Sequence, residues 1–584
     1  MRGFYERNLK MKFMSRYLKP FYGRMGIGLS IKTFGTLAEL ALPYILSRIL
    51  RDVVATENIK SIVLWGLMMV AFAAVACLCN ICANRMAAKT ASSFAEALRH
   101  DLFSKTMRLS PAQTDAFTIP SLESRITTDT YNLHHFVNMI QRMGVRAPIL
   151  LFGGIAITLI MDSYLALAMI AVLPFIFVTV YFISKKGIPL YIRVQSSVDK
   201  MVRVVREDSQ GIRVIKALSK SEHEHNRFDK VNRKLVSDEQ RAGITMGAVN
   251  PVMTVLMNLG IVAVIAFSAA RVQGGKSDPE TVIAFMQYFT LISMAMMSVT
   301  RIFVMYTKSS ASARRIAEVI DTENDLTLKS EDECPCAEKA PFVSLKNVCF
   351  SYAGVKDDVS NISVDIGKGS SLGIIGATGS GKSTLIKLIM RFYDVSCGAV
   401  YIGGRDVRTI PQSELYGKFG TAMQSDFLYA DTIEENIRFG RNISHEQIVF
   451  AAKIAQADDF ISAFPEGYGH MLSQHGTNIS GGQKQRVLIA RAIAAKPEIL
   501  ILDDSSSALD YKTDANLRRS LKEHMNGTTL ITVAQRVSSV KDCETIIVME
   551  KGEIIASGTH EELLSSCPVY REISDSQMGG AFVE

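Results

Sequence analysis

The residues Gly376-Ala377-Thr378-Gly379-Ser380-Gly381-Lys382-Ser383 fit the pattern G-x-x-x-x-G-K-[ST]. The apolar run SSLGIIG before them and TLIKLIMRFY after them, opening at Thr384, supply the strand and the helix that this pattern requires. Glycines at this spacing let backbone N–H groups wrap phosphate oxygens, Lys382 reaches the β and γ oxygens, and the Ser383 hydroxyl holds Mg²⁺. Far downstream, Ile499-Leu500-Ile501-Leu502-Asp503 is a second buried strand ending in an acid. Asp503 at that place holds the water shell of the cation. The chemistry is that of a nucleoside triphosphate held together with Mg²⁺.

These residues need a scaffold, and composition divides the 584-residue chain in two. One core does not serve so long a chain. Residues 1 to about 310 are dense in Leu, Ile, Val, Met, Ala and Phe, whereas the remainder has the mixed charge of a soluble α/β protein. Six stretches reach the roughly 20 apolar residues of a membrane-spanning helix: 25–47, 61–83, 137–160, 163–184, 246–270 and 281–306. The third and fourth meet across Met161, Asp162 and Ser163, which predicts a helical hairpin on the outer side. Residues 1–24 carry seven Lys or Arg and one acid, Glu6, so they read as a cytoplasmic interfacial elbow helix and not as a cleaved signal. The connections after the second and fourth stretches are long, polar and rich in helix formers. They predict membrane helices continuing into the cytosol, with turns near Ala112–Leu122 and Gly211–Ser219.

Lys32, Glu39, Arg142, Arg146 and Arg301 fall inside the apolar stretches. Lys32 and Arg301 are balanced between snorkelling to headgroups and facing the bundle, and Glu39 and Arg146 are the better candidates for a watery cavity. Nine cysteines, three of them (Cys77, Cys79, Cys82) in one apolar helix, make no metal or disulfide framework and read as small hydrophobes. Cys334 and Cys336, flanking Pro335, are the candidates for redox activity. His223, Glu224 and His225 lack H-E-x-x-H spacing and read as a solvated helix face. The formal charge of +8 is scattered, with no basic, aromatic-interleaved patch, so a nucleic-acid partner is not expected. The acidic, polar stretch 321–340 reads as a linker. VSLKNVCFSY and ISVDI, beyond it, read as strands.

Ile479-Ser480-Gly481-Gly482-Gln483, followed by KQRVLIARAIAAKP, places two glycines at a helix start, where N–H groups and the helix dipole attract an anion. Here the chain resembles the ATP-binding cassette (ABC) transporters, in particular their exporter-type half-transporters. The resemblance covers the whole chain. It implies an all-α six-helix membrane domain over 25–320, and an α/β P-loop nucleotide-binding domain over 341–584. By the same resemblance, Ser480, Gly481, Gly482 and Gln483 bind the γ-phosphate of ATP held by a second homologous subunit, Tyr352 stacks on adenine, Gln424 senses Mg²⁺, and Asp510 lies in a D-loop that crosses between cassettes. SLESRITTDT (121–130) and REDSQGIRVIKALSKSEHEHNRF (206–228) look like the two coupling regions.

Two positions depart from the family pattern. Where it has a glutamate that deprotonates water, this chain has Asp504, shorter by one methylene, which withdraws the carboxylate by about 1.5 Å; a misplacement of about 1 Å costs on the order of 100-fold. Where it has a histidine at the γ-phosphate, this chain has Gln535, which donates a hydrogen bond without charge. Ser473-Gln474-His475-Gly476 also replaces a segment that usually carries a glutamate and an arginine. The pattern implies a degenerate site in a heterodimeric exporter whose partner has Glu and His at the matching positions. A homodimeric exporter using Asp504 slowly, and an ATP-gated channel or regulatory subunit, are the alternatives. The expected place is a bacterial plasma membrane, with the N-terminus and cassette cytoplasmic. The exported substrate is not legible.

Overall fold

A computed structural model describes residues 13–54, 57–273, 279–330, 332–334, 341–352, 354, 356–424 and 427–578. It divides into two units, Met1–Met107 with Ile119–Thr322, and Arg108–Thr118 with Glu323–Glu584.

The first unit is all α. Among the described residues, five helices are long and apolar enough to cross a membrane: Phe13–Val53, Ile59–Thr106, Ile119–Met161, Ser221–Ala269 and Glu280–Ile320. The fourth of the six expected stretches, 163–184, opens the long helix Ser163–Ala217, which is apolar over Ser163–Thr179 and continues through Lys185 and Lys186. The hairpin before it is as tight as its sequence requires. Only Asp162 separates the two helices, and its carboxylate caps the second by accepting from Tyr164 N at 3.0 Å and Leu165 N at 3.3 Å.

Of the elbow expected over 1–24, residues 1–12 lie outside the described residues. Residues 13–18 are helical, with Phe13 and Tyr17 buried and Tyr17 Oη donating to Asp101 Oδ2 at 3.0 Å, so this segment packs on Ile59–Thr106. The charged residues within the helices sort clearly. Lys32 is buried, not snorkelling: its Nζ donates to Asn80 Oδ1 at 2.6 Å and Asn84 Oδ1 at 3.2 Å. Glu39 and Arg146 form a bidentate pair at 2.6 and 3.2 Å, while Arg142 and Arg301 are exposed.

The first expected coupling region, 121–130, is anchored inside this unit. A single π turn, Arg125–Asp129, sets Asp129 1% exposed, where Arg315 Nε reaches it at 2.7 Å and Ser312 Oγ at 2.8 Å. Both expected turns occur: Thr118 and Ser219 adopt positive φ (63° and 54°) where their helices break. The second region, 206–228, is bridged by Arg227, which pairs with Glu207 and with Glu224.

The second unit holds two sheets among its described residues. The smaller is antiparallel in the order β2-β1-β4-β5, where β1 is Val343–Phe350, β2 Val359–Ile366, β4 Cys397–Ile402 and β5 Arg405–Asp406. The larger runs β10-β9-β3-β8-β7-β6, with β3 Ser371–Gly376, β6 Phe419–Ala422, β7 Ile499–Asp503, β8 Thr529–Val533, β9 Thr545–Glu550 and β10 Glu553–Gly558. It is parallel except for β10. Continuous aliphatic runs such as ILIL in β7 fill its core, as a sheet covered on both faces requires. The four segments read as strands, all beyond the linker, are β1, β2, β3 and β7.

The helix Pro111–Phe117 also belongs to this unit. Ser110 caps it with Gln113 in a reciprocal box, Ser110 Oγ donates to Asp325 Oδ2 at 2.7 Å, and Tyr393 Oη donates to Asp115 Oδ2 at 3.1 Å. Within the expected linker 321–340, Lys329 N donates to Arg408 O at 2.9 Å, and Cys334 is buried. Cys336 lies outside the described residues. The cysteine reading needs one correction, because Cys349 and Cys397, neighbours across β1 and β4, are joined as a disulfide. Their pairing follows from sheet register, which the spacing of cysteines along a chain does not encode.

Candidate functional site

The parallel sheet places the ends of β3, β7 and β8 side by side, and a cavity of about 320 Å³ opens there. Such crevices, outside the carboxyl ends of parallel strands, are where α/β sheets bind ligands. The cavity is lined by Thr378, Gly379, Gly381, Lys382, Ser383 and Thr384 of the phosphate loop and its helix, by Asp503 and Asp504, and by Gln424 and Gln535.

The loop that follows β3 needs its glycines. Gly376 passes so close to β9 that a Cβ would lie 2.1 Å from Met549 O, and Gly381, at φ 96°, opens the helix Lys382–Ile389 in a conformation that a side chain disfavours. Lys382 Nζ folds over this loop, donating to Gly376 O at 2.8 Å, Ala377 O at 2.7 Å and Ser380 Oγ at 3.4 Å. Burial lowers its pKa. The helix is shorter than TLIKLIMRFY suggests, because Arg391 takes φ 54° and ends it.

Ser383 Oγ lies 3.4 Å from Asp503 Oδ1. Asp503 is 3% exposed, and burial, more than any charge nearby, pushes its pKa up. A hydroxyl and a desolvated carboxylate are hard oxygen donors that fit Mg²⁺. Asp504 follows at φ 50°, a left-handed conformation that aspartate tolerates better than most residues. It receives two amides on the same oxygen: Gln535 Nε2 donates to Asp504 Oδ2 at 3.1 Å and Gln424 Nε2 at 3.4 Å. Burial raises its pKa too, against the opposing pull of Lys382 and Arg536.

Tyr352 stands just outside the cavity. Its ring is held edge-on by Phe350 and Tyr393, with centroids 4.9 and 5.1 Å away, and its Oη reaches Thr384 Oγ1 at 3.5 Å. At 47% exposed, Tyr352 remains accessible to a flat ligand.

The Ser480 to Gln483 segment does not line this cavity. Ser480 caps the helix Gly481–Ala494 in a reciprocal box with Gln483, with Gln483 N donating to Ser480 Oγ at 3.3 Å and Ser480 N to Gln483 Oε1 at 2.9 Å. The helix start is exposed at Ser480 and Gly481. A Cβ at Gly482 would lie 3.0 Å from Ala508 O, so this glycine lets the segment before Asp510 pack closely. Asp510 caps the next helix, Tyr511–His524, and two bonds from Thr513 hold its pKa down. His475, in the altered segment, sits edge-on against Phe427, with ring centroids 4.4 Å apart.

Three neighbours carry no sequence motif. Asp358 lines the cavity and accepts from Tyr352 N at 2.9 Å, Lys387 Nζ lies 5.6 Å from the Tyr352 ring centre, and Arg536 donates to Leu509 O and Ser507 O. Asp358 was accessible as the acid just before β2, and Arg536 as the cation after Gln535. Lys387 follows from helical spacing once Tyr352 is placed.

Residues 25–296 match the model of the ABC transporter transmembrane region, and residues 359–507 that of the ABC transporter. An uncharacterized ABC transporter ATP-binding protein of Mycobacterium tuberculosis is 33% identical over 98% of this chain and 99% of the relative. One of Bacillus subtilis is 32% identical over 96% and 98%. A protein of Mycobacterium bovis named a fatty acid ABC transporter ATP-binding/permease protein is 30% identical over 82% of this chain and 75% of its own length. Among solved structures, a bacterial Atm1-family ABC exporter with ATP bound shares the fold, with a TM-score of 0.81 at 22% identity over 97% of this chain and 99% of that one.

Proposed function

This chain belongs to the ABC transporters, a multi-pass membrane region and an ATP-binding, ATP-hydrolysing cassette on one polypeptide, and on that footing we propose that it is one half of an exporter in which two such cassettes close face to face on ATP. In this reading Lys382 and the N–H groups of Gly376 to Thr384 hold the phosphates, Ser383, Asp503 and Gln424 hold Mg²⁺, and Tyr352 stacks on adenine. Ser480, Gly481, Gly482 and Gln483 complete the site of the other subunit, and Asp510 lies at the crossing. Asp504 is the base that takes a proton from the attacking water, more slowly than a longer carboxylate would.

The observation that supports this most is the Asp504 carboxylate itself, held in the cavity by the Gln535 and Gln424 amides. One chain also presents both a phosphate loop and an exposed signature helix, so two copies of it would complete each other. This favours the homodimer. The test is Mg²⁺-dependent phosphate release by the chain purified alone and placed in vesicles. Slow turnover that disappears in Asp504→Asn is expected.

A second reading has one observation in its favour. Asp504 reaches less far than glutamate and Gln535 carries no charge, which suits a degenerate site in a heterodimer whose partner holds Glu and His. No turnover by the chain alone, restored by coexpression with a second half-transporter, would establish that reading and refute the homodimer.

Export across a bacterial plasma membrane, with the cassette in the cytoplasm and the apolar Ser163–Thr179 helix as the sixth span, completes the proposal. ATP-dependent accumulation in sealed vesicles separates a pump from a channel. The name of the Mycobacterium bovis relative makes acyl chains the first amphiphiles to try.

A further inference from the structure

Cys349 and Cys397 lie outside the ATP cavity but bracket the polypeptide that builds it. Cys349 is the penultimate residue of β1, which leads into Tyr352, and Cys397 opens β4, reached from the phosphate-loop helix through residues 390–396. The 48 residues of separation between them therefore include Tyr352 and every residue from Gly376 to Thr384. A bond between the two sulfurs closes the nucleotide-holding loops into one ring.

The backbone brings the pair together. The two residues are register partners across an antiparallel ladder, with Cα atoms 5.0 Å apart, just after a bulge that follows Lys346. Gly398, at φ 79°, presses against that bulge so closely that a Cβ would lie 2.3 Å from Lys346 O and 2.4 Å from Asn347 O. Both sulfurs also face one acceptor, Asn347 O, at 3.9 and 3.6 Å, which can hold two thiols in place without the bond. Cys397 is exposed and Cys349 half-buried, so a reagent in solution meets Cys397 first.

We propose that Cys349 and Cys397 are a reversible thiol–disulfide modification site that sets the affinity of the cassette for nucleotide. It rests on the cytoplasmic placement of the cassette proposed above, because structural disulfides are rare there and those that form are transient or redox-sensing. A low-molecular-weight disulfide is the oxidant. The Cys397 thiolate attacks one of its sulfurs, forming a mixed disulfide and expelling one small thiolate. The Cys349 thiolate then attacks the Cys397 sulfur, forming the internal bond and expelling the second. Two electrons pass to the small disulfide, and the two protons lost by the cysteines are taken up by the departing thiolates. In the bonded form the end of β1 is tied to β4, so Tyr352 is already packed edge-on against Phe350 and Tyr393 before nucleotide arrives.

The experiment equilibrates the full-length chain, in detergent or lipid nanodiscs, with oxidised glutathione or with dithiothreitol. Disulfides are located by peptide mass mapping, and the affinity for a fluorescent ATP analogue is measured in each state. A Cys349–Cys397 peptide under oxidised glutathione, its loss under dithiothreitol, and binding tighter by about threefold in the oxidised state are expected. Cys397→Ser should bind alike under both conditions. Recovery of both residues as free thiols under oxidised glutathione, or a redox effect that survives in Cys397→Ser, overturns the proposal. Wild-type protein that forms the bond but binds nucleotide alike in both states overturns it and leaves the proposed function standing. A chain that binds no nucleotide in either state overturns that function as well.

Discussion

Gln535 Nε2 donates to Asp504 Oδ2 at 3.1 Å, so the two residues that depart from the family pattern are bonded to each other. An amide donor leaves the carboxylate ionised and orients it, whereas an alanine would free it to rotate. Asp504→Asn should lower phosphate release by about 100-fold with nucleotide affinity changed only a few-fold. Asp504→Glu should raise it. Gln535→Ala should fall between wild type and Asp504→Asn, and equal activity in all four proteins would remove Asp504 from the chemistry.

The same acids give a pH dependence with a definite sign. Burial raises both Asp503 and Asp504 above the usual carboxylate value of about 3.9. Turnover needs Asp504 ionised, so it should fade as the medium becomes acidic, beginning at higher pH than an ordinary carboxylate would cause. Stability runs the other way. A raised native pKa contributes stability that is fully present below the unfolded value and is lost as pH rises through the native one. At neutral pH, without nucleotide, Asp503→Asn should therefore melt at a higher temperature than wild type while losing Mg²⁺-dependent binding, and thermal scans across pH should show the difference shrinking in acid.

Tyr352 is 47% exposed and is held by two edge-on neighbours. Tyr352→Trp should preserve ATP affinity, and Tyr352→Ala should weaken it by roughly 1–3 kcal/mol. Affinity for inorganic triphosphate, which has no base to stack, should be alike in all three proteins.

Asp129 is the buried partner of Arg315 in the membrane unit. Removing its charge takes the carboxylate from a guanidinium that is itself 47% exposed and screened by water, a loss of about 1 kcal/mol. Asp129→Ala should lower the melting temperature of the full-length protein, whereas the double change with Arg315→Leu should recover part of it. A melting temperature unmoved by Asp129→Ala would show that the pair is not stabilising.

The phosphate loop and Asp503 were legible because their information is local: a strand, eight contiguous residues and a helix in one case, four aliphatics and an acid in the other. Gly481 and Gly482 were equally readable as a helix start, since that segment is contiguous. What the sequence did not disclose depends on pairing between distant segments. Cys349 meets Cys397 through the register of β1 and β4, and Tyr393 meets Asp115 across 278 positions of chain. Lys32 was ambiguous for a related reason, because its burial depends on which face of its helix meets Asn80 and Asn84.

The helix Pro111–Phe117 is encoded in the membrane half yet shares its unit with the cassette, through Ser110 to Asp325 and Asp115 to Tyr393. The boundary between the two halves of the gene is therefore not the boundary between the two bodies of the protein. A cassette severed at residue 341 loses the acceptor for Tyr393, whose ring also supports Tyr352. Modularity here is a property of the chain order and not of the folded object, and swapping cassettes between relatives would carry over a nucleotide site missing one of its own supports.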